Sequence, residues 1–96
     1  MIVIDSLAGL KRAIAVPGVT IHVREHWQTQ LKGTTRTPCK VQGNGYWFMG
    51  PNTKGETAKM WANIPKASEL AFNSDGSVTF YPGTEKSWTL VFEAPN

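Results

Sequence analysis

Apolar residues at helical spacing open the chain. Leu7, Leu10 and Ile14 recur three and four positions apart, so they would lie on one face of a helix. Ser6, or the aspartate before it, is placed to accept a hydrogen bond from a free N–H of the first turn, and a Pro-Gly pair at positions 17 and 18 ends the segment. The pattern predicts a short helix over residues 5–15, and a helix this short needs tertiary packing to persist.

After this segment the apolar period changes to two. Val19, Ile21 and Val23 alternate with polar residues, which is typical of a strand with one buried face. Turn signals, such as the Gly-Asn-Gly sequence at 43–45, separate further short apolar runs. The predicted strands cover residues 19–24, 34–42, 46–49, 59–64, 70–72, 77–81 and 88–93.

The order and spacing of these elements predict the fold class. Turn signals at intervals of roughly 8–12 residues favour an antiparallel barrel or sandwich, and the length of the chain fits a small barrel better. Pro38 lies within a predicted strand and indicates an edge or a bulge there. We therefore expect one domain over residues 1–96, of α+β and mainly β class. It would consist of a short N-terminal helix and a small SH3-like or OB-like antiparallel β-barrel of five to seven short strands.

Composition bounds the compartment. The chain has a single cysteine, Cys39, so no internal disulfide can form, whereas small secreted domains usually carry several. Its first residues lack the basic start and the apolar run of a signal peptide, and no stretch is long and apolar enough to span a bilayer. These features predict a cytoplasmic protein without a membrane partner.

Residues that could catalyse or bind metal are few and scattered. His22 and His26 lie on or beside a predicted strand, where four residues span about 13 Å, too far to share a zinc ion that needs ligands at about 2 Å. Cys39 has no nucleophile motif around it, and the seven acids are spread singly. We expect no metal, no cofactor and no enzymatic activity, and we expect both histidines to be exposed on a solvent-facing side.

The aromatic residues carry more information. Four tryptophans in 96 residues exceed what a core of this size requires. Residues 46–49 read Tyr-Trp-Phe-Met, so a strand must place them alternately on its two faces. Either pair could be buried, or both pairs if the helix covers the outer face. Trp27 follows a polar run in which Glu25 breaks the apolar alternation, so we expect the strand to end or bulge there and Trp27 to be partly exposed.

Basic residues concentrate in the first half of the chain. Residues 1–48 hold six Lys and Arg against two acids, whereas residues 49–96 hold four Lys against five acids. Cations beside threonines between positions 28 and 40 are typical of phosphate contacts and of ordinary exposed loops alike. Trp and Arg are favoured interface anchors, so we predict that Trp27, with Arg24 and Arg36, forms the centre of a binding surface. The candidate binding residues are Arg24, Trp27, Lys32, Arg36, Lys40 and Trp47.

Several short motifs lie along most of residues 7–93. They are Val19-Thr20, His26-Trp27, Gly33–Arg36, Gly45–Phe48, Trp61 and Pro65–Ser68. With these motifs the chain resembles small accessory proteins of actinobacterial viruses, most of which have no assigned activity. The resemblance implies a protein that acts inside the bacterial host, often by binding a host component, and it carries over no catalytic residue.

Two functions follow as hypotheses. The first is a non-catalytic binding module, a phage accessory protein that engages a host protein; it draws on the aromatic excess, the missing catalytic constellation and the resemblance. The alternative is a small-barrel nucleic-acid-binding protein that uses a basic, aromatic face. Basic side chains beside stacked aromatics in one groove would favour nucleic acid, whereas an apolar patch would favour a protein partner or self-association.

Overall fold

The computed structural model, described here over residues 1–95, places one α-helix before a single antiparallel sheet. Helix α1 spans Leu7–Ile14, and two 3₁₀ turns lie at Thr29–Leu31 and Ala67–Glu69. Along the sheet the strands follow the order β4-β3-β2-β1-β7-β6-β5. The strands are β1 (Thr20–His26), β2 (Thr35–Gln42), β3 (Gly45–Pro51), β4 (Thr57–Asn63), β5 (Leu70–Phe72), β6 (Val78–Phe80) and β7 (Trp88–Glu93).

Helix α1 confirms the pattern that predicted it. The Ser6 hydroxyl accepts a hydrogen bond from the Gly9 N–H at 3.0 Å, which caps the first turn. Leu10 and Ile14 are buried, and Leu7 is half-buried at the margin of the same face. This face packs on one end of the sheet, so the helix gains the tertiary contacts that its length requires.

The sheet has an inner face that forms the core and an outer face turned away from it. Ile21 and Val23 on β1 are fully buried and lie opposite Phe92 and Leu90 on β7. Residues from both edge strands join this one core, among them Met60 of β4 and Leu70 of β5. Because seven flat strands would hold these edges far apart, the sheet must curl around its inner face.

Two bulges interrupt the sheet where the sequence indicated irregularity. The register of β1 against β7 shifts between Val23 and Glu25, and that of β2 against β3 shifts between Pro38 and Lys40. An extra residue reverses the side that the following side chains face. Beyond the first bulge, His26 therefore turns to the inner face.

The expectation that both histidines are exposed on one solvent-facing side is wrong. His22 lies between two buried residues and so faces outward, whereas His26 lies on the inner face; both are half-buried. The expectation for the two histidines took the strand as regular from His22 to His26 and did not apply the bulge expected near Glu25, which changes the parity.

The prediction of a mainly β, α+β chain with up to seven short strands is confirmed, but the sheet does not close into a barrel. Strands β4 and β5 are its two edges, and within residues 1–95 neither pairs with a further strand. Barrel closure needs a continuous ladder across the last gap, and β5 is only three residues long. The curled sheet stays open along this gap. No helix in the described chain is long and apolar enough to cross a membrane.

Candidate binding cleft

The inner face of the curled sheet is filled at one end by α1 and open at the other. Two adjoining hollows of about 500 and 340 Å³ lie at the open end and share Trp27, Tyr81 and Trp88 in their walls. Volumes of this size are typical of ligand sites. We call this space the cleft. Its other principal lining residues are His26, Arg36, Phe48 and Met60, which come from four neighbouring strands.

A continuous stack of rings forms one wall of the cleft. Phe80, Trp88 and His26 are successive cross-strand partners on β6, β7 and β1. Their rings stack, with centroids 5.1 Å apart for Phe80 and Trp88 and 5.6 Å apart for Trp88 and His26. Trp27 extends the stack, 5.8 Å from His26, and is 43% exposed. The sheet thus supports a large apolar ring at the mouth of the cleft, as the sequence predicted for Trp27.

Tyr81, which lines both hollows beside Trp88, has a strained backbone. Tyr81 has φ 52°, the left-handed region that non-glycine residues rarely adopt, although Pro82 follows it. Its backbone is fixed by hydrogen bonds from its N–H to the Glu69 carbonyl at 2.8 Å and from the Thr84 hydroxyl to its own carbonyl at 2.8 Å. The ring packs edge-on against Trp88 at 5.4 Å. Strain of this kind concentrates at ligand clamps and active sites.

Arg36 lies at the floor of the cleft and is 6% exposed. It faces inward because it pairs with the buried Ile21 across β1 and β2. Its guanidinium carbon lies 4.5 Å from the centroid of the Phe48 ring. Gly50 leaves room for the side-chain stem, since a Cβ there would lie 3.2 Å from the Arg36 Cγ.

The charge of Arg36 has no anionic partner. No carboxylate in residues 1–95 forms a salt bridge with it, and the neutral phenol of Tyr46 lies beside it. Burial lowers the pKa of Arg36, and the Tyr46 phenol counteracts this shift. A buried cation without a counter-charge is costly, and proteins usually pair such groups or bind an anion there.

His26 presents a neutral imidazole to the same space. Its Nδ1 accepts a hydrogen bond from the Gln28 N–H at 2.9 Å, which places the proton of the neutral ring on Nε2. Burial lowers the pKa of His26 to about 4, and the positive charge of Arg36 adds to this effect. At neutral pH Arg36 and His26 therefore both present hydrogen-bond donors to the cleft.

The other cations predicted for the site lie elsewhere. Arg24 donates to Asp75 at 2.7 Å and to the Ser77 hydroxyl at 3.0 Å. The Ser77 hydroxyl and N–H, together with Arg24, hold the pKa of Asp75 well below its usual range. Lys32 forms an ion pair with Glu25 at 3.2 Å. Of the six predicted binding residues, the cleft brings together Trp27 and Arg36.

Lys40 and Trp47 are cross-strand partners on the outer face. There Trp47 lies 5.3 Å from Trp61, and the Lys59 ammonium lies 5.5 Å from the Trp47 ring centroid. We call Trp47, Trp61, Lys59 and Met49 the outer patch; Trp61, on the edge strand β4, also borders the smaller hollow of the cleft. Of the two pairs in residues 46–49, Tyr46 and Phe48 are therefore the buried one. Trp47 and Met49 lie on the outer face, where Met49 is 38% exposed.

Sequence reasoning missed His26, Tyr81 and Trp88 as cleft residues. The sequence predicts that Trp88 lies in a strand. It does not place Trp88 in a site, because the His26 ring that it contacts across the sheet is distant in sequence. The sequence did carry one usable signal, since a bulge at Glu25 places His26 on the same side as its neighbours on β7. Nothing local marks the backbone conformation of Tyr81.

No known protein family, characterised protein or solved structure matches this chain. Within residues 1–95 no group of three or more His, Cys, Asp or Glu side chains is placed to hold a metal ion. Cys39 is exposed and has no disulfide partner. The cleft with its unpaired Arg36 is the feature of this chain that suggests a function.

Proposed function

We propose that the protein is a non-catalytic binding module and that the cleft receives a segment of a partner protein. The observation that carries this proposal is Arg36, a buried and unpaired cation beneath an aromatic wall that ends in the exposed Trp27. Buried Arg and Trp residues in a concave site are typical anchors of protein interfaces. Burial of the Arg36 charge without a counter-ion destabilises the free protein, and an anion on the ligand would offset this desolvation penalty.

The resemblance to accessory proteins of actinobacterial viruses supports a host protein as the partner, met in the bacterial cytoplasm. The chemistry of the cleft supports recognition rather than turnover. Arg36 and the neutral His26 both present donors to the cleft, so they suit the capture of an acceptor group on a ligand.

The distribution of charge favours a protein partner over a polynucleotide. A nucleic-acid strand presents successive phosphates and requires a track of free cations beside the stacked rings. Arg24 and Lys32 are paired with Asp75 and Glu25, and Lys40 lies on the outer face. The cations left in the cleft are Arg36 at its floor and Lys86 at its mouth. The Lys86 ammonium lies 5.6 Å from the Trp27 ring centroid.

Selection of peptides from a random display library, followed by affinity measurement, tests the proposal. Peptides should be recovered that bind the wild type and the Met49→Ala control on the outer patch equally. Trp27→Ala should weaken them by about 30-fold or more, as expected for a central anchor. A short single-stranded oligothymidine serves as the competing ligand. Tighter binding of the oligonucleotide, with no peptide recovered, would reject the protein-binding function and favour the nucleic-acid alternative.

A further inference from the structure

The floor of the cleft is formed by the buried, charged Arg36, whereas its walls are mainly aromatic. We infer that the ligand group seated at Arg36 is a carboxylate of an acidic peptide, carried next to a large apolar side chain. This inference rests on the proposed function and specifies what the same cleft recognises. It assigns Arg36 as the specificity-determining residue.

The shape and number of the donors point to a carboxylate. The guanidinium is planar and presents its N–H groups as a fork that matches the two oxygens of a carboxylate. The floor of the cleft holds one unpaired cation, which balances one monoanion, whereas a phosphate monoester would bring nearly two negative charges to the same place. His26 adds a neutral donor on the same lining and no second positive charge.

The surroundings of Arg36 specify what must accompany the carboxylate. The guanidinium is flanked by the Phe48 ring, and Met60, Trp88 and Tyr81 line the space between it and the exposed Trp27. A carboxylate alone would leave these apolar surfaces wet. A neighbouring aromatic or large aliphatic side chain would cover them and exclude water from the ion pair, which strengthens it.

The imidazole of His26 provides a spectroscopic sign of occupancy. Its pKa is held near 4 by burial and by the charge of Arg36. The other titratable groups lining the space are Tyr81, with Glu85 and Lys86 at the mouth. A bound carboxylate would offset the guanidinium charge, so the His26 pKa should be higher with the acid form of a peptide bound than with its amide form bound. A ligand bound only to Trp27 and the rim would not neutralise Arg36 in this way.

The test compares acid and amide forms of the same selected peptide. Changing its Glu to Gln, or its Asp to Asn, should weaken binding to the wild type about tenfold or more. Arg36→Met should bind the two forms alike, and Arg36→Lys, which keeps the charge but not the fork, should fall between. A peptide with an amidated C-terminus distinguishes a side-chain carboxylate from a terminal one. NMR titration of the His26 ring should show a higher pKa in the complex with the acid form than in the complex with the amide form.

The outcomes separate this inference from the proposed function. Peptides that need Trp27 but bind equally as acid and amide would overturn the carboxylate and leave the binding function standing. A phosphopeptide that binds more tightly than its glutamate counterpart would also overturn it. Recovery of no peptide would remove both proposals. Because the acid–amide comparison uses wild-type protein, it decides the matter even if Arg36→Met fails to fold.

Discussion

The cleft and the outer patch are both built from tryptophan and a cation, yet they differ in how those groups are satisfied. On the outer patch, the Lys59 ammonium lies over the Trp47 ring in solvent, and the Trp61 indole donates to the Asn63 side chain at 3.2 Å. In the cleft, Arg36 is buried without a counter-charge. Each region exposes a tryptophan, Trp27 at 43% and Trp61 at 39%. Only the cleft also buries a charge, that of Arg36, without a counter-ion.

Trp61 also has a structural task on the outer patch. Its ring lies over Gly45, where a Cβ would overlap the indole and would lie 2.6 Å from the Ala62 carbonyl oxygen. An aromatic side chain that covers a strand glycine in this way stabilises the sheet. An exposed tryptophan alone therefore does not indicate a binding site. A concave setting and an unsatisfied charge are the features that distinguish the cleft.

The largest expected effect separates the two tryptophans of the stack. Trp88→Ala should lower the free energy of unfolding by about 3 kcal/mol, because its ring fills the space between Phe80 and His26. Trp27→Ala should cost less than about 1 kcal/mol, since that ring is at the mouth of the cleft. Urea denaturation of both variants checks this. If Trp27→Ala proved as damaging as Trp88→Ala, Trp27 would belong to the core.

A change on the other side of the sheet should be nearly as costly. Gly45→Ala inserts a methyl group against the Trp61 ring and the Ala62 carbonyl, so we expect a loss of about 2 kcal/mol in the free energy of unfolding. Thermal unfolding measures it. Trp61→Ala combined with Gly45→Ala relieves the contact with the ring, so the double variant should lose less than the sum of the two single changes. Strict additivity would mean that the ring does not rest on Gly45.

A smaller effect should appear on acidification. The unfolded chain protonates His26 near its usual pKa of 6.5, whereas the folded chain does so only at about 4. Stability supplied by the neutral ring is therefore complete above pH 6.5 and is lost as the pH falls from 6.5 towards 4. The shifted pKa of Asp75 acts at lower pH, because its window begins below its usual value of 3.8.

Melting curves between pH 7 and pH 4.5 check the expectation for His26. The wild type should lose stability over this range, and His26→Gln should lose less. His22→Gln retains the inner imidazole, so it should keep the wild-type dependence. Equal slopes for wild type and His26→Gln would contradict the burial of this ring.

The elements of the fold were accessible from sequence because periodicity is a local property. Leu7, Leu10 and Ile14 predicted α1, and the break at Glu25 predicted the bulge in β1. The open sheet was not accessible, since whether two edges meet depends on twist and strand length summed over seven strands.

The cleft was only partly accessible for a related reason. Trp27 was found because its neighbours are polar, which is a local signal. The basic face was expected from charge counts, but Arg24 is paired with Asp75, 51 residues away in the chain. Which cation remains unpaired is decided by such distant contacts. The unpaired state of Arg36 could not be predicted from composition.

Replacement of Arg36 by methionine tests the central claim most directly, in one thermal-unfolding experiment with and without the selected acidic peptide. Methionine keeps an apolar stem beside Phe48 and removes the unpaired charge. The free variant should be more stable than the wild type by about 1–2 kcal/mol, and the peptide should raise the melting temperature of the variant much less than that of the wild type. A variant that is less stable than the wild type and stabilised by the peptide as strongly as the wild type would contradict the account.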